Sequence, residues 1–375
     1  MSNGTSTGTA KAPSIGPGAI ATPGTDGGPG FALSSTNWLA IQTYVNDGLA
    51  LPTTPDKFKD WIGKGAPSDL SDFKPLMDCF TQIQAQCKTW KDTVYPASVK
   101  LASDIYDYGM HQAPTLFPKI NPLADKLSKN PNDADAQAQL KAILQLLSNH
   151  CQTQANNATA VKNQIKKFSD DTLASKSTLS GTPDKAGGLV KKYMDEYGAK
   201  SSEVVELTKQ IAEQKTILQQ ATDEYNHDVV VAATTPTYAW VWLIGTIPAI
   251  VVAGVYTARA LQALDKVNAA KKKIQDMQTT LTADGVLIIG LTAAETGMSG
   301  ILNALNAALP IIELIEGVWG SIADDLQNLV QLIDTDITKA VPIIMSLGVD
   351  EALKSWNDVA QRADAYRTHA YIVTS

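Results

Sequence analysis

The side chains best suited to moving protons near neutral pH are few: His111, His150, His227 and His369. None stands in an HExxH pattern or at the spacing of a Cys/His zinc site, and no metal or other cofactor is expected. There is no GxSxG nucleophile turn, no P-loop, and no glycine fingerprint after a strand. The glycines near the N-terminus lie in low-complexity sequence and do not form a phosphate cradle. No catalytic residue is proposed, and an enzyme is not expected. Cys79, Cys87 and Cys151 are odd in number in a chain of 375 residues, so reduced structural cysteines are expected rather than a disulfide framework. Asn3-Gly4-Thr5 and Asn157-Ala158-Thr159 match the glycosylation sequon, which is common by chance.

Two clusters acquire meaning from what lies between them. Asp223, Glu224, His227 and Asp228 directly precede an uncharged run, Val229 to Ala258, and Arg259 follows it. Protonation near pH 5–6 lowers the cost of carrying Glu224, His227 and Asp228 towards lipid. The alternative is a solvated acidic helix end. Lys266, Lys271, Lys272 and Lys273 lie just after the run, placed either to meet anionic headgroups or to form a solvated helix face.

The run reads VVVAATTPTYAWVWLIGTIPAIVVAGVYTA and is densest from Tyr238 to Tyr256. Pro248 at its centre, with Gly245 and Gly254 on either side, argues against one straight helix. Two arms, Tyr238–Thr246 and Ala249–Thr257, folding back at Ile247-Pro248, are the cleaner reading. The side chains expected to enter a membrane are Tyr238, Trp240, Val241, Trp242, Leu243, Ile244, Ile247, Pro248, Ile250, Val251, Val252, Val255 and Tyr256. Tyr238, Trp240, Trp242 and Tyr256 gather at the outer ends of the arms, as in an interfacial belt. A buried core segment and a single membrane anchor are the competing readings. The β-branched and aromatic content leaves open whether the arms are strands or helices before insertion.

The surrounding elements are helical. Residues 1–33 are rich in Gly, Pro, Ser and Thr and are expected to be a disordered arm. From 34 to 130, shorter helices are punctuated by prolines. Asn132/Asp133 caps a long helix expected to reach about Leu179. It carries Leu140, Leu147, Val161 and Phe168 on one seven-residue grid, interrupted by Gln154, and Leu144, Cys151, Ala158 and Ile165 on a neighbouring one. Ser180-Gly181-Thr182-Pro183 stops it. Val190, Tyr197, Val204, Ile211, Leu218 and Tyr225 then stand at strict heptad spacing. After the apolar run, Val267, Ile274, Leu281 and Ile288 resume the heptad. The fold class is therefore all-α: an elongated bundle of long antiparallel helices with an apolar hairpin at one end. Its expected division is residues 1–33, a bundle part 34–235, the hairpin 236–258, and a second bundle part 259–375. Gly285–Ile312 is a second apolar stretch, read as buried core, with membrane contact or a cover over the hairpin in the soluble state as the alternatives. A helix from Asp324 to Val341, broken by Pro342 and Gly348, and a last amphipathic helix over Val349–Tyr371 close the chain.

The net charge of −7 and a pI near 5.2 argue against a nucleic-acid surface. A mean hydropathy of −0.09 is soluble in character. Met1–Gly30 has no apolar h-region, so no classical signal peptide is expected there.

A heptad helix, an apolar hairpin and a returning heptad helix together resemble the helical pore-forming toxins of the cytolysin A type. Their relatives are the haemolysin BL and non-haemolytic enterotoxin components, the xenorhabdolysin-type toxins and the helical insecticidal crystal toxins. The resemblance spans about Asp133 to Tyr371. It implies a secreted or released soluble protein whose hidden tongue, here Tyr238–Tyr256, swings out into a target-cell membrane. It implies partners as well: lipid, further copies of the chain in a ring, and in some groups a second toxin component. The flanking segments, about Lys209–Asp228 and Arg259–Thr280, are those implied to rearrange. The proline-punctuated helices have no clear counterpart in that pattern. The competing class is a non-lytic helical scaffold or adhesin whose apolar segment binds a protein groove.

Overall fold

The computed structural model of the chain describes residues 13–22, 41, 44–45, 48–63, 66–182, 185–197, 269 and 283–369. Among the described residues the protein is all-α apart from a hairpin of two-residue strands. The helices are α1 (Pro55–Ile62), α2 (Lys74–Thr89), α3 (Tyr95–Asp107), α4 (Ala113–Leu116), α5 (Ile120–Lys129), α6 (Ala134–Ser180), α7 (Leu189–Tyr197), α8 (Ala283–Thr335), α9 (Ile337–Met345) and α10 (Val349–His369). Strands β1 (Gly181–Thr182) and β2 (Lys185–Ala186) pair antiparallel between α6 and α7. The chain divides into two compact units. The first comprises Met1–Ala32, Lys100–Ala160 and Ile312–Arg367; the second comprises Leu33–Val99, Val161–Ile311 and Thr368–Ser375.

Helix α6 follows its sequence pattern closely. Its first free amides meet the Asp133 carboxylate, which accepts from Ala136 N–H at 2.9 Å. Gly181, at φ 83°, ends it in a conformation that favours glycine. The expected grids are the buried stripe: Leu140, Leu144, Leu147, Cys151 and Ala158 have no exposed surface, and Val161, Ile165 and Phe168 have 4% or less. Gln154, the polar exception, is also buried and accepts a hydrogen bond from Asn157 at 3.3 Å. In α8 a comparable stripe runs Leu287, Leu291, Met298, Ile301, Leu305, Ala308 and Ile312, in agreement with a core role for Gly285–Ile312.

The prolines between residues 50 and 130 interrupt the chain less than their number suggests. Pro55 opens α1, where an amide has no partner to lose, and Pro75, Pro96, Pro114, Pro118 and Pro122 each occupy the second or third residue of a helical element. Two wide π-helical turns, Trp90–Val94 and Tyr108–Gln112, precede Pro96 and Pro114. They carry the chain past each proline ring without breaking it into separate helices.

Two expectations are corrected. The helix through residues 324–341 does not run to Pro342. It ends at Thr335, and Asp336 leaves helical geometry at φ −156° and accepts from Lys339 N–H at 3.2 Å to start α9. Pro342 lies inside α9, and Gly348, at φ 62°, separates α9 from α10. A carboxylate able to take free amides fixes a helix start more firmly than a proline further along fixes an end. The second correction concerns the arm expected to be disordered. Within it, Pro13–Thr22 is ordered in the first unit, with Ile15 and Ile20 fully buried.

The first unit closes on an aromatic centre. The Tyr108 ring lies 4.8 Å from Trp319 and 4.7 Å from Trp356, and the two indoles stack at 4.7 Å and 21°. This packing requires Gly109, because a Cβ there would collide with the Trp356 carbonyl and stand 2.8 Å from the Ala360 methyl. In the second unit, Phe168 packs 4.7 Å from Trp90 and 6.1 Å from Tyr44.

Gly109→Ala is expected to destabilise the protein by about 1–3 kcal/mol through overpacking, read by denaturant unfolding. Asp336→Ala is expected to lower the melting temperature at pH 7. The Asp336 carboxyl is held down to about 2 by hydrogen bonds from Thr338 and Lys339. Its contribution is thus present above the ordinary aspartate pKa and fades as pH falls through the folded value. The melting difference between the two proteins should therefore shrink between pH 4 and pH 2.

Candidate membrane-active region

The segment singled out by its chemistry, Tyr238–Tyr256, lies outside the described residues, as do Glu224, His227, Asp228, Lys271, Lys272 and Lys273. The described elements on its two sides are α7, which opens the ascending heptad, and α8, which takes up the descending one.

Helix α7 begins after Gly187, at φ 105°, and Gly188, whose missing Cβ leaves room for the Leu179 carbonyl. Val190 is 5% exposed, as the heptad requires. The stronger anchor is Tyr193, three residues on, which the heptad reading passed over. It is fully buried, its ring stacks on Phe73 at 5.3 Å and 16°, and its hydroxyl donates to the Asp72 carbonyl at 2.7 Å. A Tyr on the inner side of an i, i+3 pair was the available signal. Lys192 adds a longer bond to the same carbonyl at 3.4 Å.

The part of α8 from Ile301 to Thr335 is long and apolar enough to cross a membrane by length and composition. Its charged face is engaged, however. In the first unit, Glu316 accepts from the Thr159 hydroxyl at 2.8 Å, and Asp334 takes Lys141 at 2.6 Å. Ser148 donates its hydroxyl to the Ala323 carbonyl at 2.9 Å.

Among the described residues, no three of His, Cys, Asp and Glu gather as a metal site would require. The three cysteines are outside any disulfide and are buried. Burial pushes the Cys79 and Cys151 thiols up to about 12. Cys151 lies 3.8 Å from the Tyr108 hydroxyl, in the aromatic centre of the first unit. These thiols are packing groups.

The fold defined by these elements is that of solved helical toxin components, as the sequence pattern had suggested. The Bacillus cereus HblL1 toxin component superposes with a TM-score of 0.62 at 17% identity, over 96% of this chain and 99% of that one. Soluble SmhA, of the tripartite alpha-pore forming toxin Smh from Serratia marcescens, gives a TM-score of 0.57 at 14% identity, over 90% and 91%. In sequence, the chain is 25% identical over 369 residues to the pesticidal crystal protein Cry6Ba of Bacillus thuringiensis, covering 91% of this chain and 89% of that protein. It is 21% identical over 352 residues to the SPbeta prophage-derived pesticidal crystal protein-like YokG of Bacillus subtilis strain 168, covering 90% and 92%. No family model matches.

With access closed at all three cysteines and thiolate formation disfavoured at Cys79 and Cys151, none is expected to react with a thiol reagent such as Ellman's in the native protein at pH 8, and all three should react once it is unfolded.

Proposed function

We propose that this protein is a pore-forming toxin, acting alone or as one component of a multi-part toxin. It is released as a soluble protein, exposes Tyr238–Tyr256 at a target-cell membrane, inserts that hairpin and assembles with further copies. The observation that carries the reading is the position of the charge-free run Val229–Ala258 between two heptad helices, in a chain with the fold of helical toxin components. The names of its sequence relatives, both pesticidal crystal protein-like, point the same way. That HblL1 is a toxin component and SmhA part of a tripartite toxin supports a second protein as partner.

The arms set a limit on the pore. Each, as a helix, rises only about 14 Å, near half of a hydrocarbon core of about 30 Å. They also lack the polar-in alternation of a barrel strand. The tongue then faces lipid, and any aqueous lumen is lined by the polar flanking helices. Lowering the pH protonates Glu224, His227 and Asp228 and favours entry, while Lys271, Lys272 and Lys273 meet anionic headgroups.

The purified chain is expected to release dye from anionic liposomes, more at pH 5.5 than at pH 7.5, and to form rings visible by electron microscopy. A variant lacking Tyr238–Tyr256 that keeps its helical circular dichroism should bind but not leak. Leakage that survives the deletion would refute the tongue assignment and turn attention to α8.

A further inference from the structure

The Pro13–Thr22 segment is built as a ligand is built. Among the described residues, three polar ties run from its main chain to distant residues of the first unit. Ser14 N–H donates to the Asp325 carboxylate at 3.0 Å, Trp356 Nε1–H donates to the Ile15 carbonyl at 2.8 Å, and the Arg362 guanidinium donates to the Ala21 carbonyl at 2.8 Å. Ile15 and Ile20 are the apolar pegs, both without exposed surface. Between them the segment holds its own shape: Ile20 N–H reaches the Pro17 carbonyl at 3.0 Å, and Thr22 N–H reaches the Ala19 carbonyl at 3.2 Å. Gly18 supplies φ 51° at the turn and sits 3.7 Å from Val318 by its missing Cβ. Asp325 and Val318 belong to α8, Trp356 and Arg362 to α10, so the segment straps two helices of one unit.

Composition alone gives this stretch no reason to order, yet pegs, turn and carbonyls all match one groove. Hydrogen bonds to a ligand's main chain supplying affinity, with pockets for its side chains supplying selectivity, is a general mode of peptide recognition. We propose that the face formed by residues 318–325 of α8 and 352–362 of α10 is a peptide-binding groove, and that Pro13–Thr22 is its ligand held in cis, a detachable clasp. The ligand class is an uncharged, turn-forming peptide with isoleucines five residues apart. Covalent attachment gives such a segment a high effective concentration, so the clasp stays closed even where the free peptide binds modestly.

The test uses the full chain with a site-specific protease sequence inserted between Thr22 and Pro23, cut after folding. The released N-terminal fragment should co-elute with the remainder in gel filtration and then exchange, saturably, with a fluorescein-labelled peptide of residues 13–22. A labelled peptide carrying Ile15→Asp and Ile20→Asp should bind at least about tenfold more weakly, since each change places a carboxylate in an apolar pocket. A Gly18→Ala peptide should also bind more weakly, because alanine is strained at positive φ. In a second arm, the uncut chain carrying Ile15→Asp and Ile20→Asp should take up labelled wild-type peptide, whereas the uncut wild-type chain should not. Immediate loss of the fragment with no uptake of peptide in either arm would overturn the proposal. So would a cut fragment that exchanges only when the protein unfolds, since the segment would then be part of the core and not a ligand.

Discussion

A helix of 47 residues cannot hold itself straight in water, and everything described in this protein rests on how its longest helices are held. Isolated helices are marginal, and most helical stability in proteins comes from burying one face. Helix α6 buries a stripe that returns every three or four residues along nearly its whole length. Each fully buried Leu or Ile is worth about 2 kcal/mol, whereas an exposed ion pair is typically worth a few tenths. The i, i+4 Lys–Asp pairs on the outer faces, such as Lys167–Asp171, are therefore trim, and the stripe decides the fold. Thr172 and Ser175 enter the buried face of α6 with partners. Thr172 returns its hydroxyl to the Phe168 carbonyl at 2.7 Å, and Ser175 pairs with Gln86 at 3.2 Å in the second unit.

This dependence explains what could be read in advance. A stripe is a periodicity, so Leu140, Leu144, Cys151 and Phe168 were visible as a buried face from spacing alone, and Asp133 and Gly181 marked the ends by their own chemistry. The proline-punctuated region was less legible. Local rules treat each proline as a break, but Pro75, Pro96 and Pro114 sit just inside helical elements and the backbone widens ahead of two of them. The consequence is tertiary: the second wide turn carries Tyr108 and Gly109, one at the centre of the aromatic cluster and the other where the chain passes closest to Trp356. No pattern in a single sequence announces a contact between residues 109 and 356.

The ordered N-terminal segment fails a different kind of rule. Averaged over thirty residues, the arm is Gly, Pro, Ser and Thr, and such a stretch lacks the apolar area to offset its ordering entropy. The average hides Ile15 and Ile20, and it counts Pro17 and Gly18 as disorder-promoting when together they pre-form the turn that presents both side chains. Composition describes what a segment can do alone. It says nothing about a groove more than 300 residues away in sequence that already holds an indole N–H and a guanidinium for its carbonyls.

The segment proposed to enter a membrane is marked in the sequence by what it lacks. Among the described residues one helix segment, Ile301–Thr335, is long and apolar enough to cross a bilayer, and its charges set it apart from the uncharged run. Ile301–Thr335 contains Glu313, Glu316, Asp324, Asp325 and Asp334, of which Glu316, Asp325 and Asp334 already bond within the first unit. Inserting it would break those bonds and carry carboxylates towards lipid, where each costs about 3 kcal/mol at the centre of a span. It would also strip a buried stripe that continues through Ile315, Trp319, Ile322 and Leu326. Val229–Ala258 carries no charge at all. Of the two, the uncharged run would enter a membrane at the lower cost.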